Sequence, residues 1–303
     1  MFKVLDMRHD DFFTKERFRK HINFYDFEVF EKDWLLVVIN PFEDKKYIIA
    51  NDREALISFY KQKNEEVWCG YNSRRYDTFI LKTILLGKNP KKVSDFLING
   101  GNAYGLEYDW NKYQLYNFDI GTVTHSLKQL EGFMGHNIEE SNVSFLLKRD
   151  LSEKEMFETI HYCTHDVKET MEVFKNRAEV YDSQIALLKT FKLPFKFISK
   201  TQAQLVSEIL QCERVEGREL DEWNYKKVDT LQISRYKDVV DWFFNPENHS
   251  YAKTYERNVC GIPHIFGWGG LHGCINKPVV IKGKIYHGDI TSTNGAIINS
   301  LSC

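Results

Sequence analysis

No apolar run in this chain approaches the roughly 18 residues that a membrane span requires, and none of the features of a secretory leader is present at its start. Met1-Phe2-Lys3-Val4-Leu5-Asp6 soon gives way to strongly charged sequence, which is unlike a signal peptide. The expectation is a soluble, cytoplasmic protein. Cysteine is also sparse: six residues at 69, 163, 212, 260, 274 and 303, with no Cys-x-x-Cys and no compact framework. That spacing excludes a disulfide scaffold and suits reduced thiols. Charge of one sign is not in excess either. With a formal net charge of -2 and a pI near 6.6 there is no global basic footprint, so contacts to nucleic acid must come from local patches. Ser73-Arg74-Arg75 and the loop Lys88 to Lys92 are the candidates. Repeats and low-complexity tracts are missing. What the chain does have is 43% hydrophobic and 15% aromatic residues over 303 positions, enough to bury a core in one large or two ordinary domains.

The hydrophobic pattern predicts strands at about 22–30, 35–39, 47–50, 67–71 and 113–120, where β-branched and aromatic residues cluster between turn signals. Helices are expected at about 52–62, 75–86, 122–132, 141–148 and 153–180, and further on at 201–212 and 233–244. Three early strands followed by alternating helices and strands imply an α/β fold, a mixed sheet flanked by helices. The pattern changes beyond about residue 185, first to helical segments and then to the glycine-rich stretch 261–273. The expected domains are residues 1–185, a mainly helical connecting region at 186–275 that ends in the glycine-rich linker, and a separate 276–303 segment.

Within the first of these, four acids stand in three separate segments: Asp26 and Glu28 in Asn23-Phe24-Tyr25-Asp26-Phe27-Glu28, Asp77 in Asn72-Ser73-Arg74-Arg75-Tyr76-Asp77, and Asp166 in Tyr162-Cys163-Thr164-His165-Asp166. On a strand, residues two apart project from one face, which sets Asp26 and Glu28 roughly 7 Å apart. Hard carboxylate oxygens suit a pair of divalent cations such as Mg2+ or Mn2+, about 3.5–4 Å apart, that clamp the two oxygens of an in-line phosphoryl displacement. Thiols do not. Asp119 closes the strand before the third motif and either borders the site or caps a helix beginning near Thr122.

Asp-x-Glu, Asn-x3-Tyr-Asp and Tyr-x3-Asp, in this order over residues 20–180, resemble the three exonuclease motifs of the DEDD superfamily, the group that includes proofreading 3'-5' exonucleases. The resemblance implies a ribonuclease H-like fold and two-metal hydrolysis of a terminal phosphodiester that releases 5'-nucleotides. Asp26, Glu28 and Asp166 would hold one metal, Asp26 would reach a second, and Asp77 would act on that second ion directly or through water. Asn72 would touch the substrate strand. Two residues stand at spacings used to position the attacking water, His161 (His-x4-Asp) and Tyr162 (Tyr-x3-Asp). On a helix Tyr162 shares a face with Asp166 and His161 points away, which favours Tyr162. His165 reads as a solvent or packing histidine.

Residues 266–273, Phe-Gly-Trp-Gly-Gly-Leu-His-Gly, and Gly283 to Ser292 resemble the entry into the palm of a family-B-like DNA polymerase of phage type. By that resemblance Trp268, Gly269 and Gly270 would track a nucleic-acid strand, and Asp289 would be the first polymerase metal ligand of an incomplete motif, since the sequence departs from the family pattern after Ser292 and the chain ends at Cys303. Residues 276–303 would then be the start of a truncated palm that does not polymerise. The implied partners are single-stranded or frayed-end DNA and the remainder of a polymerase or other replication factors. An RNA-directed exonuclease and a non-catalytic DNA-binding or assembly fragment are the alternatives. Cys260, His264, His272 and Cys274 offer a rival reading as a zinc site, though they contain neither a Cys-x2-Cys nor a His-x3-His half.

Overall fold

The computed structural model describes residues 1–303 apart from 15, 19, 123, 213–222, 224–232, 276, 281 and 287–303. The chain divides into two compact units, Met1–Arg214 and Val215–Cys303.

The first unit is α/β. Its six-stranded mixed sheet comprises β1 (Phe2–Asp6), β2 (Ile22–Val29), β3 (Trp34–Asn40), β4 (Lys45–Ala50), β5 (Val67–Gly70) and β6 (Tyr116–Asp119), in the spatial order β1-β4-β3-β2-β5-β6. β1 to β4 pair antiparallel, whereas β5 runs parallel to both β2 and β6. Helices α1 (Arg53–Lys63), α2 (Asp77–Leu85) and α3 (Pro90–Ile98) pack on one face; α5 (Glu153–Asn176) and α6 (Ala178–Thr190) cover the other, and α4 (Leu127–Phe133) lies against α5.

The two central strands, β2 and β3, read as nearly continuous hydrophobic runs because both their faces are covered. Along β2, Ile22 and Phe24 enter the core under α5 and α6, while Tyr25, Phe27 and Val29 enter the core under α1 to α3. β3 alternates in the same way, with Leu35, Val37 and Ile39 facing the first core and Leu36 and Val38 the second. Phe24 meets Phe174 of α5 edge-on at 5.2 Å between ring centroids, and burying one such side chain contributes about 1.5–3 kcal/mol. The even-numbered face of β2 that anchors α5 is therefore the face that carries Asp26 and Glu28.

The start of α5 is fixed locally. Ser152 and Glu155 form a reciprocal capping box, Arg149 adds two 2.7 Å contacts to Glu155, and the Leu151 amide donates to Asp33 in the β2–β3 turn at 2.8 Å. Several features depart from the sequence expectation. β1 is an exposed edge strand with no buried side chain to mark it, and the stretch 141–148 is irregular rather than helical. α4 begins at Leu127, under a Ser126–Gln129 capping box, and not near Thr122. The division expected near residue 185 falls inside α6, and Tyr181, Leu188, Ile198 and Leu205 all belong to the core beneath the sheet.

In the second unit the described elements are α7's successor α8 (Lys237–Phe244), preceded in the first unit by α7 (Gln202–Ile209), and an antiparallel sheet of β7 (Thr254–Val259), β8 (Ile262–Gly267) and β9 (Gly270–Gly273). Residues 254–273, expected as part of a mainly helical connection with a glycine-rich linker, are thus a three-stranded meander. The glycines are its turns and pairing partners: Gly261 has φ +82°, and Gly273 lies opposite His264, whose ring a Cβ there would meet at 2.4 Å. No helix among the described residues is long and apolar enough to cross a membrane.

Candidate metal centre

The parallel pairing of β2 with β5 covers Ile22 to Phe24 only. Past that point β5 ends and the chain swings through residues 71–76 into α2, leaving the second half of β2 open at the carboxyl end of the sheet. Such a position outside strand carboxyl ends is where open α/β sheets place ligands. The Phe27 amide, which lies beyond the last β2–β5 pair, donates to Asp77 Oδ1 at 3.2 Å. Asp77 is the first residue of α2, where a carboxylate is also favoured by the helix dipole.

Asp166 comes down from α5, which crosses β2 and β3 with Cys163 and Val167 buried beneath it. The Cys163 thiol rests 3.5 Å from the Asp26 carbonyl and 3.7 Å from Asp26 Oδ2. One oxygen each of Asp26 and Glu28 and the Cys163 sulfur lie within 4.8 Å of one another. Burial, Asp26 and Glu28 push this thiol well up, so it stays a neutral packing group rather than a thiolate ligand.

The structure therefore gathers Asp26, Glu28, Asp77 and Asp166, and their electrostatics show the strain of that assembly. Asp26 is raised well above the ordinary carboxylate range by burial, then by the charges of Asp77, Glu28 and Asp166. Glu28 is raised by burial, then by Asp166 and Asp77. Burial takes Asp77 to about 7 against the opposing amide hydrogen bonds, and it raises Asp166 despite the nearby Lys128. Four carboxylates held this close either keep protons or take up cations, and the group could hold a metal ion.

Lys128 on α4 supplies one positive charge, and sequence reading missed it. Its Nζ donates to Asp166 Oδ1 at 2.6 Å, lies 3.3 Å from Glu131 Oε2 and sits 4.9 Å over the Tyr162 ring. The signal that could have found it was the Ser126-x-x-Gln129 capping box, which fixes the helix start and turns Lys128 and Glu131 onto one face.

Of the two candidates for positioning water, Tyr162 is half-buried against Asp166 and Glu28, and its hydroxyl is raised by burial and by those charges, so it remains a neutral phenol. His161 is largely exposed and faces Glu139 at 3.5 Å. His165, expected as a solvent or packing histidine, contacts buried Glu131 instead.

Asp119 caps no helix. Its carboxylate accepts from the amides of Arg74 at 3.0 Å and Gly121 at 2.9 Å, and its charge adds to the elevation of Asp77, so it braces the loop that leads into the site. Asn72 lies at the exposed tip of that loop with φ +56°, a left-handed conformation in which asparagine is enriched.

The expected basic patches are used internally in part, while Arg75, Lys88 and Lys92 are exposed. Ser73 is buried and donates to Asn117, and Arg74 Nε donates to the Ser199 carbonyl, leaving Arg75 exposed. Lys88 to Lys92 form the start of α3, with Asn89 capping it and Lys91 paired to Asp95 at 2.6 Å.

In the second unit Trp268, read as tracking a nucleic-acid strand, is half-buried within an aromatic cluster. It packs with Trp223 (4.6 Å between centroids), Phe243 (5.0 Å) and His249 (5.5 Å), and its Nε1 donates to the Asn248 carbonyl at 2.8 Å. Gly269 in the β8–β9 turn and Gly270 at the start of β9 are exposed beside it. Cys260, His264, His272 and Cys274 do not gather into a metal-ligand group among the described residues. Asp289 lies outside the described residues, as do most of the positions read as a palm. Comparison with protein-family models, with curated proteins and with solved structures found no match to this chain.

Proposed function

We propose that the first unit is a metal-dependent 3'-5' exonuclease of the DEDD type with a ribonuclease H-like sheet, acting on single-stranded or frayed DNA ends. The observation that carries this reading is the convergence of Asp26, Glu28, Asp77 and Asp166 from three sequence-distant segments, with Tyr162 beside them and His161 outside.

An all-carboxylate donor set suits Mg2+ or Mn2+. Asp26, Glu28 and Asp166 would hold one ion, and Asp26 with Asp77 a second. When bound, the ions supply the Lewis acidity that activates water and stabilises charge on the phosphodiester. The chain's own groups do the rest. Asp77, braced by the Phe27 amide, and Asp166, held by α5, fix the donor positions on rigid elements. Tyr162, kept protonated, offers a phenolic O–H beside Asp166 to orient a water molecule. Lys128 balances the charge of Asp166. Exposed Asn72 and Arg75 at the loop tip are the side chains available to a strand end.

Degradation of a 5'-labelled single-stranded DNA in Mg2+ or Mn2+ tests the reading. A stepwise ladder is expected, abolished by Asp26→Ala, slowed about 100-fold by Tyr162→Phe and changed less than about two-fold by His161→Ala. The same oligonucleotide made as RNA separates the two substrate classes. Absence of a ladder in either metal, with the fold intact, would replace this reading by a non-catalytic DNA-binding or assembly fragment of a polymerase.

A further inference from the structure

Beside the four-carboxylate site, α4 and α5 enclose a second cluster with different donor chemistry. Glu131 of α4 and His165 and Glu169 of α5 each bring a ligand atom within 4.8 Å of the others. His136, just beyond α4, places Nδ1 2.7 Å from Glu169 Oε2. Glu131 is fully buried, and although its Oε1 contacts His165 Nε2, its Oε2 accepts no hydrogen bond; the Lys128 ammonium stands 3.3 Å away without forming one. A buried carboxylate oxygen held by one ammonium at this distance still has a lone pair open to a cation. The opposite ring nitrogen of His165, Nδ1, faces the Glu139 carboxylate at 3.7 Å, the arrangement by which outer carboxylates orient metal-binding imidazoles.

We propose that Glu131, His165 and Glu169 form a zinc site that staples α4 to α5, with His136 holding Glu169 from outside. One imidazole and two carboxylates, with the fourth position left to water, make a mixed nitrogen and oxygen donor set that fits zinc and cobalt, whereas an all-oxygen set fits magnesium. Tetrahedral zinc with bonds of about 2.0–2.1 Å holds its ligands about 3.4 Å apart, so the three ligand atoms, already within 4.8 Å of one another, need only small shifts, with Glu131 and His165 parting to admit the ion. The ion would supply both charges that Glu131 and Glu169 require and would fix α4, the helix that carries Lys128, against α5. This inference does not rest on the nuclease reading, since the same residues bind zinc whether or not the neighbouring carboxylates catalyse. The competing arrangement is a pair of His–Glu ion pairs without metal.

The test is Co2+ titration of the chelator-treated full chain carrying Asp26→Asn, which disables the neighbouring site through the ligand it shares between ions. One equivalent of Co2+ with visible ligand-field bands of tetrahedral type is expected, displaced by Zn2+ and not by Mg2+. In the same background, His136→Asn and Glu169→Gln should each weaken binding about ten-fold or more. The unsubstituted chain titrated in excess Mg2+ reads the site without any substitution, should Asp26→Asn disturb the fold. Absence of the bands from a chain with native circular dichroism would overturn the proposal and leave the two ion pairs. Bands that survive both substitutions, or that carry thiolate-to-cobalt charge transfer, would place the metal elsewhere and also overturn it.

Discussion

The crowding of carboxylates beneath α5 makes the stability of the metal-free protein fall as pH rises, with Asp77 as the clearest contributor. Its carboxyl is held up to about 7 in the fold, chiefly by burial, against about 4 in an unfolded chain. Below about pH 4 the group is protonated in both states and has no effect on stability. Between about pH 4 and 7 the unfolded chain ionises while the folded state keeps its proton, so stability is lost; above that window the loss is complete and constant. Three pH units at about 1.4 kcal/mol each amount to about 4 kcal/mol. In a folded unit of about 200 residues each kcal/mol moves the melting midpoint by about 2–4 °C, so Asp77 accounts for about 10 °C. Asp26 and Glu28, raised in the same direction, add to it. On the proposed reading a divalent cation would bind the ionised carboxylates and reverse the loss, more strongly where they are ionised.

The assay is thermal unfolding by circular dichroism at pH 5, 6, 7 and 8, in chelator and in Mg2+, for the wild-type chain and for Asp77→Asn. The asparagine keeps an oxygen for the Phe27 amide and removes the titration. In chelator the wild-type midpoint should fall with pH about 10 °C more steeply than that of the variant, and Mg2+ should raise the wild-type midpoint at pH 8 far more than at pH 5. Parallel profiles for the two chains, or equal stabilisation by Mg2+ at both pH values, would refute the reasoning.

Gly121→Ala puts a Cβ 2.5 Å from Asn72 Oδ1 and 2.7 Å from its backbone nitrogen; chemical denaturation should show a loss of about 1–3 kcal/mol, and DNA degradation should weaken because the loop leading to Asp77 must shift. Trp268→Ala removes the centre of the aromatic cluster of the second unit and should cost that unit about 2–3 kcal/mol. It should be seen as faster proteolysis of residues 236–273 with single-stranded DNA affinity unchanged, whereas weakened DNA binding by a stable variant would restore a nucleic-acid role for Trp268.

Much of the first unit was legible because its signals are local or periodic. The runs 22–30 and 35–39 bury both faces, so hydrophobicity alone marks them as central strands, and Ser152 with Glu155 marks the start of α5 by capping chemistry. β1 was not legible, because an edge strand with five exposed residues has no burial pattern to betray it. The glycine-rich stretch 261–273 suggested a linker because turn residues and linker residues share a composition; cross-strand pairing makes it a sheet.

The sequence by itself determined which residue types were available for chemistry and that Asp26 and Glu28 share a face, since a strand repeats every two residues. It also favoured Tyr162 over His161, since a helix turns about 100° per residue. Only the tertiary structure decided that Lys128 joins the four acids, that Asp119 braces the Asn72 loop, that Arg74 and Trp268 make internal contacts, and that Glu131, His165 and Glu169 meet between two helices with His136 against Glu169. Those contacts join residues far apart in the chain. Local periodicity fixes where a side chain points on its own element, and only the packing of one element on another fixes what it meets there.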